Sequence, residues 1–129
     1  IAARPNTGIV LFWAPGPEDD PRHPGDDGKA AALRAALPAG LPVFPMPTAA
    51  LRELIAGLAL CDSVVCSDGG AMHLAAGLGK PIACLFGQSD AVRWHPWGIP
   101  HQVLQPASRN VADLGVEEVL AAWAAIAPP

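Results

Sequence analysis

No apolar run in this 129-residue sequence approaches the roughly 18 residues that a membrane-spanning helix needs; Pro81–Phe86 is only strand-sized. There is no surplus of positive charge either. The formal net charge of −4 excludes the basic footprint of a nucleic-acid-binding domain and gives no sign of docking on an anionic bilayer. Cysteine is scarce: Cys61, Cys66 and Cys84 form an odd set at irregular spacing, which is not a disulfide framework. No CxxC pair occurs, so a structural zinc site is not expected. The three thiols are expected to be small buried hydrophobes in a reducing compartment, which places the chain in the cytoplasm. No signal-peptide pattern is present, and the opening Ile1-Ala2-Ala3-Arg4-Pro5 has no initiator Met, as in a segment cut from a longer chain. There is no internal repeat. The one compositional break, the acidic stretch at 18–27, is too short for a linker, so residues 1–129 are expected to form one compact domain.

What is present supports a real core, since 51% of residues are hydrophobic. Gly8–Trp13 is an unbroken apolar run, the pattern of a strand buried on both faces in a parallel sheet. Ala14–Gly28 follows, and Pro15, Pro17, Pro21 and Pro24 exclude a helix there. Lys29–Leu37 is Ala-rich and predicts a short helix. Leu41–Met46 predicts a second strand, weakened by Pro42 and Pro45. Thr48 is placed to cap the next helix, whose stripe Leu51, Leu54, Ile55 and Leu58 has helical spacing. Asp62–Ser67 reads as a third strand, Gly70–Leu78 as a helix ended by Gly79 and Pro81, and Ile82–Phe86 as a fourth strand. Gly87–Gly98 reads as a loop and His101–Gln105 as a fifth strand. Val116, Val119, Leu120 and Trp123 give a closing amphipathic helix. Strands alternating with helices imply right-handed βαβ units, a mostly parallel sheet and helices on both of its faces, a three-layer Rossmann-like α/β domain.

The most informative stretch is Cys66-Ser67-Asp68-Gly69-Gly70-Ala71-Met72-His73, at the end of a buried strand and the start of a helix. Open α/β sheets bind ligands at the carboxyl ends of their strands. Gly69 and Gly70 remove side chains where a ligand could touch the backbone. The free N–H groups of the helix, with the positive end of its dipole, form an anion site suited to a phosphate or pyrophosphate. Asp68 is poorly matched to a bare phosphate and better matched to accepting hydrogen bonds from sugar hydroxyls. His73, in the first turn, can reach an anion or a hydroxyl. The loop thus points to a phosphorylated sugar. Spacing alone serves equally well a plain helix cap at Asp68, a tight turn at the glycines and a core histidine at His73.

Three segments in order narrow the choice: Asp68-Gly69-Gly70-Ala71-Met72-His73-Leu74-Ala75-Ala76, then Lys80-Pro81, then Leu85-Phe86-Gly87-Gln88-Ser89-Asp90. Together they resemble the C-terminal domain of the heptosyltransferases, family 9 of the glycosyltransferases, and the likeness extends more loosely from Gly8 to the C-terminus. That resemblance implies the incomplete C-terminal half of a two-domain GT-B enzyme. Such enzymes pass a sugar, often a heptose, from a nucleotide diphosphate donor to lipopolysaccharide or another glycan, with inversion. It implies an ADP-sugar substrate, no cofactor, no bound metal and a location in the cytoplasm or peripheral to the inner membrane. Carried over by position, Asp68 would hold donor sugar hydroxyls, and the backbone at Gly69, Gly70 and Ala71 would hold the pyrophosphate. His73 would support that site, Glu18 would approach the ribose and Thr48 would border the base.

The sequence departs from the family pattern in instructive places. Gly69 stands where the family usually has Thr, removing a hydroxyl from the phosphate site, and Ala91 follows Ser89-Asp90 where Pro is usual. The family's phosphate-facing lysine has no counterpart here, since Lys29 and Lys80 lie in other contexts. Its catalytic carboxylate belongs to the N-terminal domain. No catalytic residue is therefore assigned to this segment, which is expected to be inactive alone. Two alternatives stand beside the transferase: a non-catalytic nucleotide-sugar-binding module, and a related sugar-nucleotide epimerase, against which the Leu85–Asp90 run argues. His23-Pro24-Gly25-Asp26-Asp27 reads as a solvated loop rather than a metal site, and Trp94 as a packing anchor.

Overall fold

The computed structural model describes residues 6–127. The chain divides into two compact units, Ile1–Leu54 and Ile55–Pro129.

In the first unit, β1 (Ile9–Trp13) leads through a long turn-rich segment to α1 (Asp27–Ala36) and then β2 (Val43–Pro47). β1 and β2 pair in parallel, Ile9 opposite Val43 and Trp13 opposite Pro47. The prolines fit because of parity. The Pro42 carbonyl accepts from the Ile9 amide and the Thr48 amide donates to the Trp13 carbonyl, so even-numbered residues face β1. Pro45 and Pro47 then turn their donor-less nitrogens to the other side of the strand, where no ladder bond is lost. β1 is half-buried at every position, rather than closed on both faces as its apolar run predicts; among the described residues its only ladder partner is β2.

The segment between β1 and α1 is tied down by its own backbone. Asp20 accepts from the amides of Arg22 and His23. Asp26 and Gly25 donate to the carbonyls of Ala14 and Pro17. Gly25 runs so close to Gly16 that a Cβ would collide with the Gly16 carbonyl, an approach only glycine permits. Asp27 closes the lock, accepting from the indole N–H of Trp13 at 2.7 Å and the Gly16 amide at 2.9 Å.

α2 (Leu51–Leu60) starts differently from expectation. Thr48 does not cap it, because its hydroxyl donates to the Trp13 carbonyl. Glu53 does so instead, its Oε2 accepting from the amides of Ala49 and Ala50, the reciprocal half of a capping box.

The second unit contains β3 (Val64–Ser67), α3 (Gly70–Gly77), β4 (Ile82–Leu85), α4 (Ala91–Trp94), β5 (His101–Leu104) and α5 (Val116–Ala124). β3, β4 and β5 form a parallel sheet with β4 central. Ile82, Ala83 and Cys84 are all fully buried. Successive strand residues point to opposite faces, so both faces of β4 are covered, as a parallel core strand requires. α3 packs on β3 and β4, and α5 on β4 and β5. α3 ends in a Schellman motif: Gly79 has φ +73°, its amide donates to the Ala76 carbonyl and that of Lys80 to the Ala75 carbonyl, closing the last turn. Gly87–Gly98 is not wholly a loop. Asp90 accepts from the amides of Val92 and Arg93 and so starts the single turn of α4.

The expected mostly parallel sheet thus takes the form of two parallel sets, β1–β2 and β3–β4–β5. In α2 and α5 the leading member of the apolar stripe, Leu51 or Val116, is exposed. Among the described residues no helix is long and apolar enough to cross a membrane.

Candidate functional site

The Asp68–His73 segment occupies the β3–α3 junction. Asp68 donates its amide to the Leu85 carbonyl, 3.0 Å, which places the residue level with the end of β4. Its carboxylate Oδ2 accepts from the Ser89 hydroxyl at 2.5 Å. Asp68 is half-buried, so it is neither turned into the core nor lost to solvent.

The amino end of α3 is open. Its cap position, Gly69, offers no side-chain hydrogen bond to the helix. A Cβ on Gly69 or Gly70 would meet nothing within 4 Å. The Met72 and His73 amides bond back to the Gly69 carbonyl. Among the described residues the amides of Gly69, Gly70 and Ala71 have no protein acceptor. Three adjacent donors at a positive helix end make a site for an anion. His73 is exposed, on the same first turn, with its ring edge-on to Trp94 at 6.4 Å. Trp94 thus borders this helix end, and Arg93 lies over its ring at 5.0 Å.

A sequence profile of glycosyltransferase family 9 (heptosyltransferase) matches residues 2–123. The chain belongs to this family. The fold agrees. E. coli ADP-heptose lipopolysaccharide heptosyltransferase II superposes with a TM-score of 0.76 at 22% identity, over 92% of this chain and 35% of that one. A family 9 glycosyltransferase from Veillonella parvula gives 0.75 at 18% identity, over 92% and 36%. E. coli heptosyltransferase WaaC with ADP gives 0.61 at 20%, over 92% and 44%. The chain thus spans between a third and a half of the length of these solved relatives. A comparison with curated protein sequences gives no match.

In this family 9 chain the remaining predicted residues fall in the first unit. Glu18 is exposed, 3.8 Å from the Lys29 ammonium. Thr48 lines an open depression of about 430 Å³ together with Ala49, Ala14, Arg22, His23 and Pro24. Glu18 is not among the residues lining it. The His23–Asp27 segment offers no metal cage: Asp26 holds Lys29 at 2.8 Å, Asp27 holds Trp13 and Gly16, and among the described residues no three His, Cys, Asp or Glu side chains gather. Both lysines are engaged within the protein. Lys29 pairs with Asp26 and Glu18, and Lys80 donates to the Ala59 carbonyl at the end of α2.

Three residues escape a reading of the sequence. Arg22 brings a cation to the depression beside Thr48. Ser89 grips Asp68, and Gln105 holds the Ser89 carbonyl at 2.9 Å. The motif run through Ser89 is visible, but no periodicity or spacing ties positions 68, 89 and 105 together.

Two of the thiols, Cys66 and Cys84, lie close to Asp68. Burial pushes the Cys66 thiol up to about 12, with Cys84 and Asp68 adding to it; burial likewise pushes Cys84 up to about 11. Both stay protonated at neutral pH, and a thiol is a poor nucleophile. Iodoacetamide at pH 8 is expected to leave Cys66 and Cys84 unlabelled in the native protein and to label both in denaturant, as peptide mass spectrometry would register.

The Asp27 lock carries a pH signature. The Trp13 indole N–H, and then the Gly16 amide, hold the Asp27 carboxyl below its ordinary value. A depressed carboxylate stabilises the fold above its unfolded pKa, and the contribution disappears as pH falls through the folded value. A Trp13 fluorescence change is therefore expected below about pH 4, and D27N should remove that acid step while introducing the same spectrum at neutral pH.

Proposed function

We propose that this chain supplies the donor-binding part of a family 9 glycosyltransferase that moves a sugar, such as a heptose, from a nucleotide diphosphate to a lipopolysaccharide-type acceptor. The observation that carries the reading is the bare amino end of α3, with Asp68 beside it presenting one carboxylate oxygen that has no donor among the described residues. The amides of Gly69, Gly70 and Ala71 receive the pyrophosphate, and the helix dipole stabilises the charge that builds on the departing nucleoside diphosphate. Asp68 accepts from hydroxyls of the donor sugar, and His73 supports the pyrophosphate. The donor is an ADP-sugar, in line with the ADP and ADP-heptose in the names of the solved relatives.

Transfer proceeds by direct displacement at the anomeric carbon with inversion. By the family resemblance, a carboxylate of an N-terminal domain takes the acceptor proton. With Lys29 and Lys80 engaged elsewhere, residues 1–129 bind the donor and do not complete the reaction. In keeping with the family, the chemistry belongs in the cytoplasm, at or near the inner membrane. Calorimetry of the full-length protein with ADP- and UDP-sugars tests the reading. Micromolar binding of an ADP-sugar is expected, and no binding of any nucleotide diphosphate sugar would refute it.

A further inference from the structure

Asp68 cannot hold a sugar hydroxyl in a fixed direction unless something fixes its own carboxylate. A carboxylate offers about four lone-pair directions, and an aspartate at a loop junction is free to rotate about χ1 and χ2. Three elements meet around it. Its amide is fixed to the end of β4 through the Leu85 carbonyl. Its Oδ2 is taken by the Ser89 hydroxyl. The Ser89 backbone is fixed in turn, its carbonyl accepting from Gln105 Nε2 at 2.9 Å and from Arg109 Nη1 at 3.3 Å. The same Gln105 nitrogen reaches the Gly87 carbonyl at 2.8 Å, and Gln88 Nε2 donates to the Arg109 carbonyl at 3.3 Å. The loop after β4 is thus bracketed by side chains from the segment that follows β5. The bracket aims one hydroxyl at one oxygen of Asp68 and leaves Oδ1, among the described residues, without a protein donor.

From this geometry we infer that Ser89 is a positioning residue for donor selection. It holds Asp68 so that Oδ1 faces the sugar, and Gln105 keeps Ser89 in place. The inference rests on the reading of Asp68 as the sugar contact and adds what sets its direction. A bond to an ionised carboxylate is stronger than a neutral one. Without it, Asp68 would have to be ordered at the moment of binding, and the affinity for the sugar would fall by the cost of that ordering. ADP alone, which has no sugar at Asp68, would not register the change. This separates positioning from a merely structural link between β3 and the loop, which would disturb both ligands alike.

The test is calorimetry of the full-length protein with two probes, ADP and ADP-heptose. S89A is expected to weaken ADP-heptose by about tenfold and to leave ADP within about twofold, a size set by hydrogen bonds to charged groups. S89C, close in shape but a weak donor, should behave alike, and it carries the test if S89A does not fold. S89T, which keeps the hydroxyl, should restore ADP-heptose binding to within about threefold of the parent. In a D68N background S89A should add nothing, because the bond it removes serves only Asp68. Equal losses for the two ligands, or a full additional loss on top of D68N, would overturn the positioning role. If D68N alone left ADP-heptose binding unchanged, the sugar-contact reading itself would fall, and Ser89 would have nothing to position.

Discussion

Replacing Gly70 with aspartate is expected to leave the protein at least as stable as before and to abolish binding of a nucleotide diphosphate. The two effects have opposite signs because they act on the same helix end. Gly70 is the first residue of α3, and a Cβ there meets nothing within 4 Å, so the side chain costs no packing. An acidic side chain in the first turn of a helix contributes about 0.3–1 kcal/mol through the dipole, and leaving glycine adds a few tenths more by reducing the freedom of the unfolded chain. A bound pyrophosphate would stand against that new charge. At about 4 Å and an effective dielectric near 20, like charges repel by roughly 4 kcal/mol, so a loss well beyond a hundredfold follows. G70N, almost the same shape without the charge, should lose far less. Thermal melts read the first effect and ADP titration the second. A G70D protein that still binds ADP like the parent would mean that the anion does not dock at this helix end.

The largest expected loss of stability comes from Phe86→Ala. Phe86 is fully buried, immediately beyond β4, and its amide donates to the Leu104 carbonyl at 2.8 Å. Truncating a buried phenylalanine removes its transfer free energy and leaves a cavity, together about 3–5 kcal/mol. Natural domains have only about 5–15 kcal/mol in all, so the variant should unfold at a much lower denaturant concentration. Phe86→Leu, which refills most of the volume, should cost far less. The substitution bears on function too, because Phe86 leads directly into Gly87–Asp90, the loop that carries Ser89. Urea unfolding followed by tryptophan fluorescence measures the difference. A midpoint shift of less than a few tenths molar would contradict the burial on which the β4 core rests.

What can be read from the sequence is whatever local pattern determines. The five strands and their parallel sense follow from short apolar runs alternating with helical stripes, and the β3–α3 glycine junction from its composition. The tertiary pairings are not visible there. An apolar run such as Ile9–Trp13 looks the same whether both faces are covered or, as here, every residue is half-buried. Thr48 has the chemistry of a cap, yet its hydroxyl is claimed by the Trp13 carbonyl 35 positions away, and Glu53 takes over the duty. The turn at α4 is hidden because Asp90 also completes a ligand-like motif, although aspartate is a common helix start. Ser89 and Gln105 lie 21 and 37 positions beyond Asp68, and only the ordering of β3, β4 and β5 in one sheet brings the three together.

The seating of the donor on α3 is tested most directly by the amide resonances of Gly69, Gly70 and Ala71 in the full-length protein during titration with ADP. These three N–H groups have no protein acceptor among the described residues. A pyrophosphate seated on them should move all three downfield in proportion to occupancy, ahead of amides elsewhere in α3. Saturation by ADP with those three resonances unmoved would contradict the placement of the donor at this helix end.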